Sequence, residues 1–410
     1  MSAPHTMRFN PASREELCAI IEDAHSHNQA LRISGGATLK GIGGDVVAHR
    51  DLSLCTFTGI EEFEPGDLTI GARAGTTLTE LSETLGAYRL TTPLDAPQPR
   101  IATLGGTLAS GWLGPRRHRL GRSRDAVIGT EIVLANGRLA KSGGMVVKNV
   151  TGYDLSKLYI GSFGTLGVLA RANLKLTPLP QCGRGLLARL PELSRGRAIE
   201  RMRGLASQAT AALIIDGFHR EIDGEDGTDG RIFVLIESSQ TTLELHTRDT
   251  RSALGQAGIP EAHIIDHLPV HQLQRIIDAV ITNVGERSVT YRVLGDPLEH
   301  RLARDQIPTT LQHLDLKTEA ILDVFNGDLF LRISDRDARA FASKLAELDD
   351  RIHDLLPRAI VIACAHPLRE QLNLWGKHPL AFEKMLQLKS AFDPKNILNP
   401  GRFLGNSQRV

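Results

Sequence analysis

The sequence predicts an α+β protein of two domains with a short returning tail, and three features carry that prediction. Runs with strand-like patterning alternate with runs of helical periodicity. The 410 residues exceed what one hydrophobic core usually serves. The glycines cluster in loops of the first 180 or so residues and thin out beyond them. Pro178 and Pro180 break the pattern between these two regimes. They divide the chain into a first domain over 1–180, a second over 181–375 and a tail over 376–410.

The elements follow in order. Residues 11–30 read as a helix, because Ser13 and Glu16 have capping-box spacing and Leu17, Ile20, Ile21 and Ala24 form an apolar stripe. Leu31–Ser34 is a short strand running straight into Gly35-Gly36. Residues 68–74 form another strand, and Thr77 and Glu80 cap a helix that ends near Gly86. Residues 131–141 are a hairpin in which Asn136-Gly137 supplies a type I′ turn. Residues 168–176 alternate apolar and polar, as a half-buried strand does. In the second region, residues 223–230 are an acidic, glycine-rich exposed loop and 231–237 a strand. The tail starts as a helix at His378 and runs through Phe392-Asp393-Pro394 to Asn399-Pro400-Gly401.

Composition removes several function classes. Hydrophobic residues at 41% and charged residues at 23% fit a soluble globular protein. A formal charge of +1 gives no global field for nucleic acid or an anionic membrane. Cys18, Cys55, Cys182 and Cys364 make no metal-ligand spacing, so neither zinc nor an iron–sulfur cluster is expected, and they read as core residues in a reducing compartment. Residues 1–10 lack the apolar region of a secretory signal, and no apolar run approaches the ~20 residues that span a bilayer. The expected location is cytoplasmic, with membrane contact only peripheral and through partners.

Three glycine-rich segments carry the functional signal: Ser34-Gly35-Gly36-Ala37-Thr38, then 102–111 with Thr103, Gly105, Gly106 and Ser110, then 161–167. A dinucleotide diphosphate is costly to bury unless backbone N–H groups converge on it, and glycine clears side chains from that approach. Each Gly-Gly pair taken alone reads equally well as a tight turn. A Rossmann fingerprint does not fit, since Gly161, Gly164 and Gly167 have other spacing and precede a strand. A Walker A loop is excluded by the absence of Gly-Lys-Ser/Thr at the end of these loops.

Segments 31–44, 102–137 and 143–178 resemble the PCMH-type FAD-binding domain of the vanillyl-alcohol-oxidase family. Within it, three stretches are similar to the FAD-binding subunits of bacterial glycolate oxidases: Ser110-Gly111-Trp112-Leu113-Gly114-Pro115-Arg116-Arg117, Val147-Lys148-Asn149-Val150-Thr151-Gly152-Tyr153-Asp154-Leu155, and 161–168. The tail 392–401 resembles the family's C-terminal return to the flavin domain. The resemblance covers about half the chain. It implies two α/β subdomains holding FAD under an α+β cap domain. It implies that Gly35, Gly36, Ala37 and Thr38 contact the diphosphate, and that Thr103, Gly105, Gly106, Ser110 and Gly114 continue the cradle. Gly164, Thr165, Gly167 and Val168 then run beside the flavin, and Asn399 approaches from the tail. Ala37 stands where some members carry the histidine that attaches FAD, so the flavin is expected to be non-covalent.

The resemblance also implies oxidation of glycolate to glyoxylate, with a catalytic flavoprotein sister subunit and an iron–sulfur subunit as partners and electrons passing toward a quinone. A self-sufficient dehydrogenase of a 2-hydroxy acid such as D-lactate, and a non-catalytic structural subunit, stand as alternatives. No catalytic residue is assigned. His366 is alone and reads as structural, and His263, His267 and His271 read as surface residues, their i, i+4, i+8 series interrupted by Pro269. The basic run Arg116, Arg117, His118, Arg119, Arg122 and Arg124 reads equally as a solvated loop or a cationic lip. Tyr153 and Asp154 read as support for the flavin pocket.

Overall fold

The computed structural model describes residues 7–146, 154–222, 230–282 and 285–403. The expectations for Val147 to Tyr153 and for the acidic loop at 223–229 lie outside those residues. The chain forms two compact units: 1–114, 120–179 and 379–410 in the first, 115–119 and 180–378 in the second.

In the first unit, α1 (Arg14–Ser26) starts three residues later than the sequence pattern suggests. Ser13 is its extended N-cap, and Ser13 Oγ accepts from the Glu16 N–H at 3.1 Å. Glu16 reaches back to accept from the Ala12 N–H at 2.8 Å. Leu17, Ile20, Ile21 and Ala24 are buried. The helix ends before Asn28, which adopts φ 53°. Strands β1 (Met7–Phe9), β2 (Leu31–Ser34) and β3 (Arg50–Ser53) form a parallel sheet in the order β1-β3-β2.

Strands β4 (Ile60–Glu64), β5 (Thr69–Arg73), β7 (Val127–Val133), β8 (Leu139–Gly143) and β9 (Val168–Lys175) form an antiparallel sheet, β4-β5-β9-β7-β8. The short β6 (Leu90–Thr91) and β10 (Thr177–Pro178) pair separately. Central position explains why β9 does not alternate as expected: it is buried throughout except at Asn173 and Lys175. Even Arg171 is enclosed, held by Glu61 at 3.3 Å and Glu62 at 3.0 Å. The β7–β8 hairpin is also corrected. A type I′ turn needs two residues at positive φ; here Gly137 has φ 81° and Asn136 stays negative. The Gly137 N–H returns to the Leu134 carbonyl at 2.9 Å, as in a type I turn closed by a left-handed glycine. Helix α2 (Leu78–Gly86) has Thr77 as N-cap, as its sequence indicates. Helix α3 (Leu104–Ser110) follows Thr103. The tail helix spans Phe382–Phe392, so it begins four residues after His378.

The second unit is built on an antiparallel sheet of β11 (Cys182–Arg189), β12 (Ala211–Asp216), β13 (Arg231–Ser238), β14 (Ile264–Leu268), β15 (Ser288–Val293), β16 (Lys317–Asp323), β17 (Leu329–Ser334) and β18 (Ile360–Cys364). Their order is β14-β11-β13-β12-β16-β17-β15-β18. Helices Arg195–Gly204, Leu243–Gln256, Pro297–Thr310 and Ala338–Leu355 contribute Ile199, Leu254, Ile307 and Leu345 to one core with the strands. That apolar burial is the main force holding the layer.

Candidate functional site

The first two glycine loops meet in the first unit. Strand β2 delivers the chain to Gly35, where an added Cβ would stand 2.1 Å from Thr103 Oγ1. At Gly36 it would stand 1.8 Å from the Ile101 carbonyl oxygen. Both distances are far below contact, so these glycines are demanded by a close main-chain approach. Ala37 turns the chain with φ 53°. Among the described residues, the N–H groups of Gly35, Gly36, Ala37 and Thr38 have no protein acceptor.

The second loop spends its amides differently. Leu104 N–H bonds to the Thr76 carbonyl and Gly105 N–H to the Ala74 carbonyl, each at 2.8 Å, while Gly106 N–H bonds to Thr103 Oγ1 at 3.2 Å. A Cβ on Gly105 would lie 2.7 Å from that of Ala74, so this glycine lets α3 pack on β5 and the turn after it. Ser110 Oγ donates to the Thr107 carbonyl at 3.0 Å. Gly114 is buried, and a Cβ there would sit 2.0 Å from Asp95 Cβ.

The third loop lies across the C-terminal end of α3. The Gly161 N–H bonds to the Leu108 carbonyl at 3.0 Å and the Phe163 N–H to the Ala109 carbonyl at 2.7 Å. Gly164 has φ 69° and, like Thr165, Gly167 and Val168, is buried. Thr165 Oγ1 donates to the Ser162 carbonyl at 2.6 Å, and a Cβ on Gly167 would press on Ile132.

Asn399 ties the first loop to the third. Its Oδ1 accepts from the Ile33 N–H at 2.7 Å and its Nδ2 donates to the Phe163 carbonyl at 2.8 Å. The tail runs beside β2, with Leu31 N–H to the Ile397 carbonyl at 2.7 Å and Asn399 N–H to the Leu31 carbonyl at 3.0 Å. Lys389 completes the arrangement and was not singled out in the sequence. Its Nζ donates to the Thr165 carbonyl at 3.0 Å and the Leu398 carbonyl at 3.1 Å, and pairs with Asp393. Burial lowers the Lys389 pKa, and Asp393 accepts in turn from the Ile397 and Leu398 N–H groups. The sequence signal was an ordinary i, i+4 Lys–Asp pair, which most helices carry on their surface.

Other candidates disperse. His263, His267 and His271 are exposed on a 3₁₀ turn, on β14 and at a helix N-cap, so they share no helical face. His366 is exposed and opens a 3₁₀ turn. Asp154 is exposed, 3.7 Å from Lys157. The basic run divides. Within the second unit, Arg117 grips Asp328 through both terminal nitrogens, Arg116 meets Glu237 at 3.4 Å, and His118 bonds to the Ala209 carbonyl at 3.0 Å. Asp328 also takes Arg292. Asp323, wholly buried beside it, is pushed up to about 7 by burial and then by the Asp328 charge. Among the described residues, no group of His, Cys, Asp and Glu is arranged to hold a metal.

Comparison with known proteins assigns this architecture. Residues 6–153 match the FAD binding domain model, and residues 369–403 match the C-terminal domain of FAD linked oxidases. Glycolate oxidase subunit GlcE of Escherichia coli (strain K12) is 39% identical over 400 residues, covering 97% of this chain and 95% of that protein. The chain belongs to the FAD-linked oxidase family. Another relative of this oxidase is glycolate oxidase subunit GlcD of Bacillus subtilis (strain 168), 26% identical over 97% of this chain and 89% of its own. Among solved structures, substrate-bound p-cresol methylhydroxylase matches with a TM-score of 0.73 at 14% identity, covering 96% of this chain and 88% of that one, which shows the shared fold. Among the described residues of this FAD-linked oxidase, no helix is long and apolar enough to cross a membrane.

Proposed function

We propose that this FAD-linked oxidase is a subunit of a glycolate-oxidising complex and holds FAD non-covalently in its first unit. The observation that carries the reading is the set of four consecutive amides, Gly35 to Thr38, that have no protein acceptor among the described residues and lie where a Cβ on Gly36 would strike Ile101. A diphosphate supplies the acceptors such amides need, and it fits only against bare main chain. Thr103, Gly105, Gly106, Ser110 and Gly114 shape the second wall. Gly164, Thr165, Gly167, Val168 and Asn399 shape the third, with Asn399 fixing the distance between the first loop and the last. Ala37 offers no nucleophile for a covalent link. Bound FAD supplies a two-electron acceptor for 2-hydroxy acid oxidation.

Glycolate as substrate is supported by the E. coli relative, which matches this chain almost end to end. The partners of the proposal are a catalytic flavoprotein sister subunit and an iron–sulfur subunit. The four dispersed cysteines, none in a disulfide, support placing one-electron transfer in another chain. The test is the visible spectrum of the purified chain before and after acid precipitation, with glycolate-dependent reduction of an artificial acceptor measured with and without the partner chains. Flavin released into the supernatant, and turnover that appears only with the partners, is the expected result. Colourless protein rejects the cofactor; turnover by the isolated chain rejects the division of labour.

A further inference from the structure

The second unit carries a cleft of about 820 Å³ between the segment 192–203 and the helix Pro297–Thr310. Its chemistry is mixed. Arg197, Arg203 and Arg301 line it, with Leu193 and Leu298 at its edge. Leu193 is 91% exposed, Leu298 43%, and Leu302, one turn further along the same helix, 57%. Isolated exposed leucines need no explanation, but Leu193 and Leu298 line the same cleft.

Among the described residues, the charges are incompletely used. Arg195 is held by Asp216 and Glu192, and Arg301 pairs loosely with Asp305 at 3.6 Å. Among the described residues, Arg197 and Arg203 are exposed and have no carboxylate at ion-pair distance. Guanidinium groups beside apolar side chains are the residue types that protein interfaces favour.

We propose that this cleft docks another subunit of the oxidase complex, through a segment that carries carboxylates for Arg197 and Arg203 and apolar side chains for Leu193 and Leu298. A small free anion would satisfy the arginines and leave the leucines in water. An anionic membrane favours an unbroken positive face, whereas Glu200 and Asp305 interrupt this one. An acidic, apolar protein segment answers both features. The proposal rests on the subunit reading above, and its test separates the two.

The tagged full-length chain is co-expressed with its partner chains and purified at low and at high salt, as wild type, Arg197→Glu/Arg203→Glu and Leu298→Asp. Retained partner, flavin content and thermal midpoint are measured on each. Both variants are expected to lose partner by about tenfold or more while keeping flavin and midpoint. The wild-type complex is expected to weaken with salt, as partly exposed charge pairs do. A wild-type complex that both variants retain in full overturns the surface and leaves the subunit reading standing. A wild-type chain that retains no partner overturns the reading and the occupant together. Variants that keep the partner but lose sedimentation with phosphatidylserine vesicles assign the cleft to membrane and overturn the proposal.

Discussion

Lys389 Nζ lies 3.0 Å from the carbonyl oxygen of Thr165, 224 residues earlier in the chain. The same ammonium reaches the Leu398 carbonyl and the fully enclosed carboxylate of Asp393. One cation therefore pins the third glycine loop to the tail that carries Asn399. Among the described residues, removing it leaves Asp393 buried with two backbone donors, and breaking a buried pair from one side costs ~3–5 kcal/mol. Lys389→Met is expected to lower the thermal midpoint and release flavin. Asp393→Asn is expected to do the same less severely, because the Lys389 ammonium it strands keeps the Thr165 and Leu398 carbonyls as acceptors. The double variant should be less damaging than the sum of the singles, with a coupling of ~1 kcal/mol or more. Additive losses in denaturant unfolding would argue against the latch.

Gly36 supplies a sharper test of the first loop. Any Cβ there must displace the Ile101 carbonyl. Gly36→Val is expected to abolish flavin retention while sparing most of the fold, because the clash lies in a surface loop and not in either core. The measurement is flavin absorbance per mole of purified chain against its circular dichroism. A variant with full flavin would show that the first loop does not hold the diphosphate.

Features fixed by local hydrogen bonds were legible in the sequence. Ser13 with Glu16 and Thr77 with Glu80 placed two N-caps, and β2 ran into its glycine pair as its pattern indicated. The hairpin of β7 and β8 was legible, yet its turn type was not, because Asn-Gly suits more than one geometry and only the φ of Asn136 decides. β9 misled because Arg171 and Asn173 signal a solvated face, while Glu61 and Glu62 pay for burying the arginine. At the site, glycines announced a close approach without saying to what. Gly36 faces a carbonyl, whereas Gly105 and Gly167 accommodate Ala74 and Ile132. The basic run was ambiguous because its acceptors lie far away in sequence, Ala209 by 91 residues, Glu237 by 121 and Asp328 by 211.

Arg117 tests that last assignment. Its guanidinium meets Asp328 in a two-point contact that a lysine cannot reproduce. Arg117→Lys is therefore expected to destabilise the chain by ~1–3 kcal/mol, and Arg117→Ala by more, since Asp328 is buried and would retain Arg292 as its remaining ionic partner. Urea unfolding measures both. A lysine variant as stable as the wild type would mean that the contact is electrostatic only, with no demand on geometry.

The neighbouring Asp323 gives the pH dependence its sign. It is enclosed with Asp328, Arg117 and Asn326 around it, and burial, followed by the Asp328 charge, raises its pKa from 3.8 to about 7. In the unfolded chain the carboxyl titrates near ~4. Between these values the native protein holds a proton that the unfolded chain has released, so stability falls as pH rises through the window and levels off above it. Glu61 has the opposite sign. Burial opposes its ionisation, but Arg14, Arg73 and Arg171 pull it down to about 2, so its contribution is lost only in acid below the window. His353, raised despite burial by its bond to Asp349, is also lost as pH rises, whereas His118 and His300, lowered chiefly by burial, act in the opposite direction, so the raw curve mixes groups of both signs. The difference between wild type and Asp323→Asn isolates the carboxyl. The variant is expected to gain on the wild type steadily from about pH 5 to about pH 7 and to hold a constant lead above. A difference that does not change over that range would show that Asp323 is already ionised in the native protein, its charge carried by Arg117 in spite of the burial.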